Sequence, residues 1–501
     1  MNKSGTANAV HLPETKMDNV SKNSRITFKV RDVSIDGNAV GVCNQNGMTV
    51  FCFGADVGEN VSGTVIKKTS SYLVARPESR AASENCPYYP VCGGCSLLHF
   101  SYERTLEIKE SHVKDCLERI GGFKGIKIDP IIPSPATAGF RNKAIYRFVR
   151  TKDGIRCGFF RRNSHDVVAS DSCFCEKPLC RKVCNAVLDV LNRKGFTVYN
   201  EETAKGLLRA LMVRVSVSNR AMVCLSVNSK SVPDAEWIAS VVMKAVPEVV
   251  SFYTHANTSE TNNVLLGEFT LIAGEKTLTD FIGDAVFEIA PESFFQVNPY
   301  ATVKLYDKAF EYAIGDRQGP VNMLDVYCGI GTIGVYFAKK CDKIKTIYGV
   351  DFTEAAIAEA GRAAVVNGIA ANAKFTAGDA EKVLSAEAAN ATLRQADTIV
   401  VDPPRKGLGD KMPEILSGLN ADRLVYVSCN PATLARDLVR FKDLGWQIEG
   451  ITPVDMFPFE GHVETVCLLS NRKPDARVKI DVDLEDYYRI KDEQKKNKAS
   501  E

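Results

Sequence analysis

The stretch VNMLDVYCGIGTIGVYFAKK, residues 321–340, decides the fold. An apolar run ends at Asp325, a loop of Cys328, Gly329, Ile330, Gly331 and Thr332 lets a ligand approach the backbone, and a helix-like run follows. Strand, glycine turn and helix in that order form the repeating unit of a doubly wound parallel sheet. One Gly-x-Gly carries little weight alone. It gains weight from TIYGVDFTEAAIAEA, where an apolar run ends at Asp351, twenty residues after Gly331 and placed to bind a ribose diol. A third run ends in FTAGDAEKV and offers Asp379 as an acceptor for an adenine amino group, although a helix N-cap explains this aspartate nearly as well. A fourth, ADTIVVDPPRKGL, stops at Asp402 before two prolines. A fifth, VYVSCNPATLARDL, breaks at Asn-Pro immediately after Cys429.

Ligands of such sheets bind at the carboxyl ends of the strands, where Asp402 and Cys429 both fall. Helix N-terminal amides and nearby Arg405 or Arg436 can lower the pKa of a cysteine at such a strand-to-helix turn, and the sequence leaves open whether Cys429 rests as thiolate or ionises only when its substrate arrives. One chemistry that would use such a thiol together with a base is methylation of a pyrimidine at C5. Uracil C5 is a poor nucleophile until a thiolate adds to C6, after which C5 can take a methyl group and a base removes its proton. Base candidates lie in DMFPFEGHVETVCLL: Asp455, Glu460, His462 and Glu464.

Upstream of the sheet, the composition is that of a soluble protein. With 501 residues and 45% hydrophobic content, the chain is expected to hold about two to four domains. The first 24 residues are polar and no run of eighteen apolar residues occurs, so a cytoplasmic protein without membrane contact is expected. Residues 25–80 alternate short β-branched runs with Asp-Gly and Asn-Gly turns, which reads as an OB-like β-barrel. In ENCPYYPVCGGCSLLHF, Cys86, Cys92 and Cys95 stand in a C-x5-C-x2-C pattern. Three thiols so close point to a metal or cluster, which needs a fourth thiolate. Cys173 and Cys175 compete for that place, while Cys180 and Cys184 read as packing residues. The segment from Arg141 to Arg162 carries eight basic residues against one acid. It interleaves them with Tyr146, Phe148, Phe159 and Phe160, a composition that suits phosphate neutralisation and base stacking on RNA.

Taken together, CPYYPVCGGC, GFRNK, GLLRALMVR, FFQVN, LDVYCGIGTIG, DPPRKGL, VSCNPATLARDL and DMFPFEGHVE resemble the RNA uracil-5-methyltransferases, specifically the bacterial enzymes acting on 23S ribosomal RNA. The resemblance implies an S-adenosylmethionine-dependent α/β fold of the Rossmann-like class. A TRAM RNA-binding barrel (25–80) would precede a central α+β iron–sulfur region (81–295) and the methyltransferase domain (296–475), flanked by a disordered head (1–24) and a charged tail (476–501). It implies Cys429 as nucleophile and Glu464 as base. S-adenosylmethionine would meet Gln296, Tyr327, Gly329, Gly331, Thr332, Asp351, Asp379 and Asp402. A [4Fe-4S] cluster would sit on Cys86, Cys92, Cys95 and Cys173, and Arg141, Lys143, Arg147 and Phe148 would touch RNA. The expected partner is 23S rRNA, with the protein itself monomeric. A transfer RNA uracil-5-methyltransferase is the alternative of the same chemistry; a non-catalytic RNA-binding protein is the alternative of another class.

Overall fold

Turn-punctuated β-branched runs give five strands: β1 (Arg25–Val33), β2 (Asn38–Cys43), β3 (Thr49–Phe53), β4 (Asn60–Lys68) and β5 (Tyr72–Pro77). They close into a barrel in the order β1-β2-β3-β5-β4, antiparallel except where β3 meets β5. Ile26, Phe28 and Val30 alternate into its interior, as the two-residue period of a strand requires. The computed structural model describes residues 19–79, 81–259, 267–387 and 395–471. The charged tail and most of the polar head lie outside that range.

After the cysteine-rich loop, α1 (Tyr102–Arg119) begins at Ser101, whose side chain accepts a hydrogen bond from the Arg104 N–H. Seven strands then form the central sheet: β6 (Lys143–Thr151), β7 (Gly154–Phe160), β8 (Val167–Ala169), β9 (Leu208–Val215), β10 (Ala221–Val227), β11 (Val249–Ala256) and β12 (Glu268–Gly274). Their order is β12-β11-β10-β9-β6-β7-β8. Helices α2 (Pro178–Lys194) and α3 (Ala235–Ala245) cover one face. A hairpin of β13 (Leu278–Ile282) and β14 (Ala285–Ile289) follows. The division at residue 295 differs from the packing in two places. Val113, Cys116 and Leu117 of α1 pack beneath the C-terminal sheet, and Ile282, Phe287 and Ile289 of the hairpin pack on its other side.

That C-terminal sheet follows α4 (Pro299–Ile314) and comprises β15 (Val321–Val326), β16 (Ile344–Asp351), β17 (Ala373–Ala377), β18 (Thr398–Val401), β19 (Arg423–Ser428), β20 (Gln447–Val454) and β21 (Glu464–Ser470). Between them run α5 (Thr332–Lys340), α6 (Glu354–Val366), α7 (Ala380–Glu387), α8 (Met412–Ser417) and α9 (Pro431–Asp443). The order is β17-β16-β15-β18-β19-β21-β20. The first five strands are parallel, whereas β21 runs antiparallel to both its neighbours. Leu324 and Val326 feed the core on one face and Val321 and Met323 that on the other, which is why these strands read as continuous apolar runs. The strand order reverses between β15 and β18, and the carboxyl ends there open the crevice expected of such sheets. Among the described residues no helix is long and apolar enough to cross a membrane.

Candidate active site

Two Asn-Pro dipeptides end the loops that carry the key side chains. Asn298 caps α4 by accepting from the Ala301 N–H at 3.1 Å, and Asn430 caps α9 by accepting from the Ala432 N–H at 3.1 Å. The proline after each occupies the first helical position, where no N–H is needed. Gln296 and Cys429 therefore sit just before rigid helix starts. The antiparallel β21 brings the second group to Cys429. Ser428, the last residue of β19, pairs with Thr465 across the β19–β21 ladder, so Cys429 and Glu464 each lie one residue from that last pair, and Glu464 acts electrostatically on the thiol.

The electrostatics of this pair are acidic. Burial, then Glu464 and Asp402, push the Cys429 thiol up to about 11, with Arg405 pulling the other way. The acidic neighbours and burial thus outweigh the positive neighbours that the sequence offered. Arg436 is tied instead to Asp437 and to the carbonyls of Lys406 and Leu408. Glu464 is raised to about 8 by burial and Asp402, and Asp402 to about 7 by burial. The other base candidates are engaged elsewhere. Asp455 accepts from Lys109 and Tyr102, and Glu460 from Arg141. Burial and Arg405 lower the pKa of His462, which lies 3.2 Å from the Arg405 guanidinium. Beside Cys429 a cavity of about 190 Å³ is walled by Arg405, His462, His112 of α1 and Ile35 of the barrel's β1–β2 turn. Three parts of the chain thus meet at the thiol.

Next to it lies the glycine loop. A Cβ at Gly329 would meet open space, and Gly329 and Gly331 both have positive φ (54° and 76°). Tyr327 holds a left-handed conformation as well, at φ 66°, which is uncommon for a residue with a side chain. Asp351 accepts from the Gly329 N–H and the Thr353 N–H, both at 3.0 Å, so it braces the loop at the end of β16. Asp379 accepts from the Lys382 N–H at 3.2 Å, a helix-capping contact at the start of α7. Thr332 bonds the Tyr306 hydroxyl at 2.8 Å, and that hydroxyl also engages the Gln296 side chain. Tyr306 joins the two loops and was missed in the sequence, where a tyrosine on an apolar helix face reads as core. Asp325 is fully buried, raised to about 8 by burial, and leaves Oδ1 without a hydrogen-bond partner. This crevice offers carboxylates and open backbone, the donor set for a cationic, diol-bearing ligand.

The cysteines gather in a second place. Cys86, Cys92, Cys95, Cys173 and Cys175 all line one cavity of about 310 Å³, together with Arg141, Lys143 and Glu460. The Cys95 and Cys175 sulfurs are 3.6 Å apart. Among the described residues no group of three or more His, Cys, Asp or Glu is arranged to hold a metal ion. Cys180 and Cys184 are buried packing residues on α2.

The basic hairpin differs from expectation. Phe148 is 4% exposed and packs with Tyr146 in the central core, so it has no face free for a base. The cause is α2, which covers that side of β6. Arg141 is held by Glu460 in a two-pronged ion pair rather than free for phosphate. Lys143 is lowered to about 8 by burial and by Arg214 and Arg141. Arg147 lies on the opposite phase of β6 from the aromatics, with its guanidinium 4.9 Å from the Phe160 ring.

Comparison with known proteins bears on the family. A family described as tRNA (Uracil-5-)-methyltransferase matches residues 275–472. An RNA methyltransferase of Bacillus cereus is 36% identical over 457 residues, covering 90% of this chain and 98% of its own. One from Caldanaerobacter subterraneus is 37% identical over 451 residues, covering 88% and 97%. The crystal structure of Pyrococcus abyssi tRNA (uracil-54, C5)-methyltransferase in complex with S-adenosyl-L-homocysteine is similar with a TM-score of 0.70 and 28% identity, covering 88% of this chain and 99% of that one. With such relatives aligned along nearly its whole length, the chain belongs to the RNA uracil-5-methyltransferase family.

Proposed function

We propose that the protein methylates C5 of a uridine in 23S ribosomal RNA, with S-adenosylmethionine as the methyl donor. The observation that carries this reading is the meeting of Cys429 and Glu464 next to the last pair of the β19–β21 ladder, close enough for Glu464 to act on the thiol. A uracil turned out of the RNA stack fits a pocket for one base beside the thiol. Cys429 gives up its proton to water as its sulfur bonds to C6, and the C5–C6 π electrons move to C5 and its neighbouring carbonyl. The donor supplies a methyl group on a cationic sulfonium. After C5 carries that methyl, Glu464 takes the C5 proton, the C5–C6 double bond re-forms and the Cys429 sulfur leaves.

Several residues have supporting roles in this proposal. Gln296, Tyr327, Gly329, Gly331, Thr332, Asp351 and Asp379 would line the donor site. Asp402 would face both donor and thiol. Positive charge arriving among Asp325, Asp402 and Glu464 would favour their ionised forms and that of Cys429. Cys86, Cys92, Cys95 and either Cys173 or Cys175 would hold a [4Fe-4S] cluster, whose chemical class matches a thiol-lined cavity of about 310 Å³. Neither alkylation nor proton abstraction needs an electron, so its role is structural. The barrel is read as a TRAM domain gripping RNA. Arg147, which also faces Glu201, would be one RNA contact.

Transfer RNA is the second reading, favoured by the Pyrococcus abyssi likeness. That likeness spans 88% of this chain and so reaches well beyond the catalytic sheet. Incubation with unmodified 23S and transfer RNAs and a labelled donor, followed by mapping of 5-methyluridine, separates the two. Label at a discrete uridine of 23S RNA is expected. Label in transfer RNA alone would overturn the ribosomal assignment, and absence of 5-methyluridine from both would overturn the reaction.

A further inference from the structure

The segment from Asp455 to Val463 leads directly into Glu464, and other parts of the chain fasten it at four points. Lys109 of α1, itself fully buried, donates to the Asp455 carboxylate at 2.5 Å and to the Phe457 carbonyl at 2.7 Å. The Phe459 carbonyl accepts from the Ser96 and Leu97 N–H groups at 3.1 and 2.9 Å, immediately after Cys95. Glu460 receives Arg141 through both carboxylate oxygens, Nε to Oε1 at 2.8 Å and Nη2 to Oε2 at 2.5 Å. Its side chain also walls the thiol-lined cavity.

This bracing maintains an unfavourable backbone. Phe459 sits at φ 61°, a left-handed conformation that costs a bulky residue on the order of 1–3 kcal/mol and persists only where its surroundings over-determine it. Its ring packs among Tyr89, Leu98, Cys86 and Cys95. The bidentate clamp is a fork matched to a carboxylate, which fixes direction as well as distance. None of these groups has a part in adding sulfur to C6 or moving the methyl group, yet all converge on the strand that presents the base.

We propose that Glu460, clamped by Arg141, is a positioning residue for Glu464, and that through it the walls of the thiol-lined cavity set the alignment of the base. The inference rests on the reading of Glu464 as the base. Because base removal follows methyl transfer, misalignment slows release and spares addition. A shift of about 1 Å in a reacting group costs on the order of 100-fold in rate.

The test uses the full-length protein as isolated and follows enzyme–RNA adducts on denaturing gels. With ordinary uridine RNA, Glu460→Gln is expected to accumulate a methylated covalent adduct and release product about 10- to 100-fold more slowly than the parent. With 5-fluorouridine RNA, which needs no base for trapping, the same variant forms adduct within about threefold of the parent rate, since addition and methyl transfer do not use Glu464. Leu98→Ala, which alters the cavity wall without removing a cluster cysteine or a partner of the clamp, shows the same selective slowing. Arg141→Lys, keeping charge but not the fork, falls between. Equal slowing of formation and release, or loss of the 5-fluorouridine adduct in both Glu460→Gln and Arg141→Lys, would make the clamp merely structural and overturn the proposal. Unchanged release in Leu98→Ala would detach the cavity from it. If the base reading itself is wrong, Glu464→Gln releases product at the parent rate, a distinct result.

Discussion

Ligand-free Cys429 should react as a hindered, protonated thiol. Its pKa of about 11 leaves roughly 3 molecules in 10,000 as thiolate at pH 7.5, against about one in ten for an unperturbed cysteine. The rarer thiolate is also the more nucleophilic, by about tenfold for this difference in pKa, so the net deficit is about 30-fold. Iodoacetamide labelling followed by peptide mass spectrometry measures this at Cys429 alone. The logarithm of the rate should climb with unit slope from pH 7 to 10. S-adenosylmethionine then reverses the field: a unit positive charge about 5 Å away, at an effective dielectric constant of about 20, is worth roughly 3 kcal/mol or two pKa units. Labelling should rise about tenfold with S-adenosylmethionine and much less with the uncharged S-adenosylhomocysteine. A rate that is flat between pH 7 and 9, or equal acceleration by both ligands, would refute the acidic description of this pocket.

Three further outcomes follow from the geometry. Lys109→Met removes one partner of a fully buried ion pair and should cost about 3–5 kcal/mol in denaturant unfolding, with Lys109→Met/Asp455→Leu recovering part of it; a single-variant loss under about 1 kcal/mol would show the pair is not buried in solution. Asp325 is raised from 3.8 to about 8, so the native state holds its proton more tightly than the unfolded chain. Its contribution is full below about pH 4 and lost as pH rises to 8, so Asp325→Asn should lose less stability than the parent between pH 5 and 8, by on the order of 3 kcal/mol. Equal pH dependence of the two proteins would contradict that shift. Glu464→Gln should leave a methylated adduct on ordinary uridine RNA, and rapid product release by that variant would remove Glu464 from the mechanism.

The doubly wound sheet was legible because its strands are buried on both faces and end in chemistry-bearing residues: Asp351, Asp402 and Cys429 each lie where an apolar run stops. What the runs do not show is direction. QIEGITPV and ETVCLLS look like any other strands, yet β21 is antiparallel, and only that reversal brings Glu464 back to the edge where Cys429 waits. Alternation in KAIYRFVR did encode the outcome for Phe148. Ala144, Tyr146 and Phe148 share one phase and Lys143 and Arg147 the other, so rings and cations could never face the same ligand. Which phase is covered depended on α2, whose residues come thirty positions later. The protonation of Cys429 was not legible for a similar reason: the sequence shows its basic neighbours, while in space burial, Glu464 and Asp402 outweigh Arg405. The bracing of Asp455 and Glu460 joins residues more than three hundred positions apart, and no local pattern announces it.

The most direct test of uracil-5-methyl transfer through Cys429 is to trap the protein on 5-fluorouridine-substituted RNA with S-adenosylmethionine and sequence the cross-linked peptide by mass spectrometry. The predicted result is one nucleotide carrying methyl and fluorine at C5 and bonded through C6 to Cys429, with no adduct in Cys429→Ala. Attachment to another cysteine such as Cys328, or an undiminished adduct in Cys429→Ala, would contradict it.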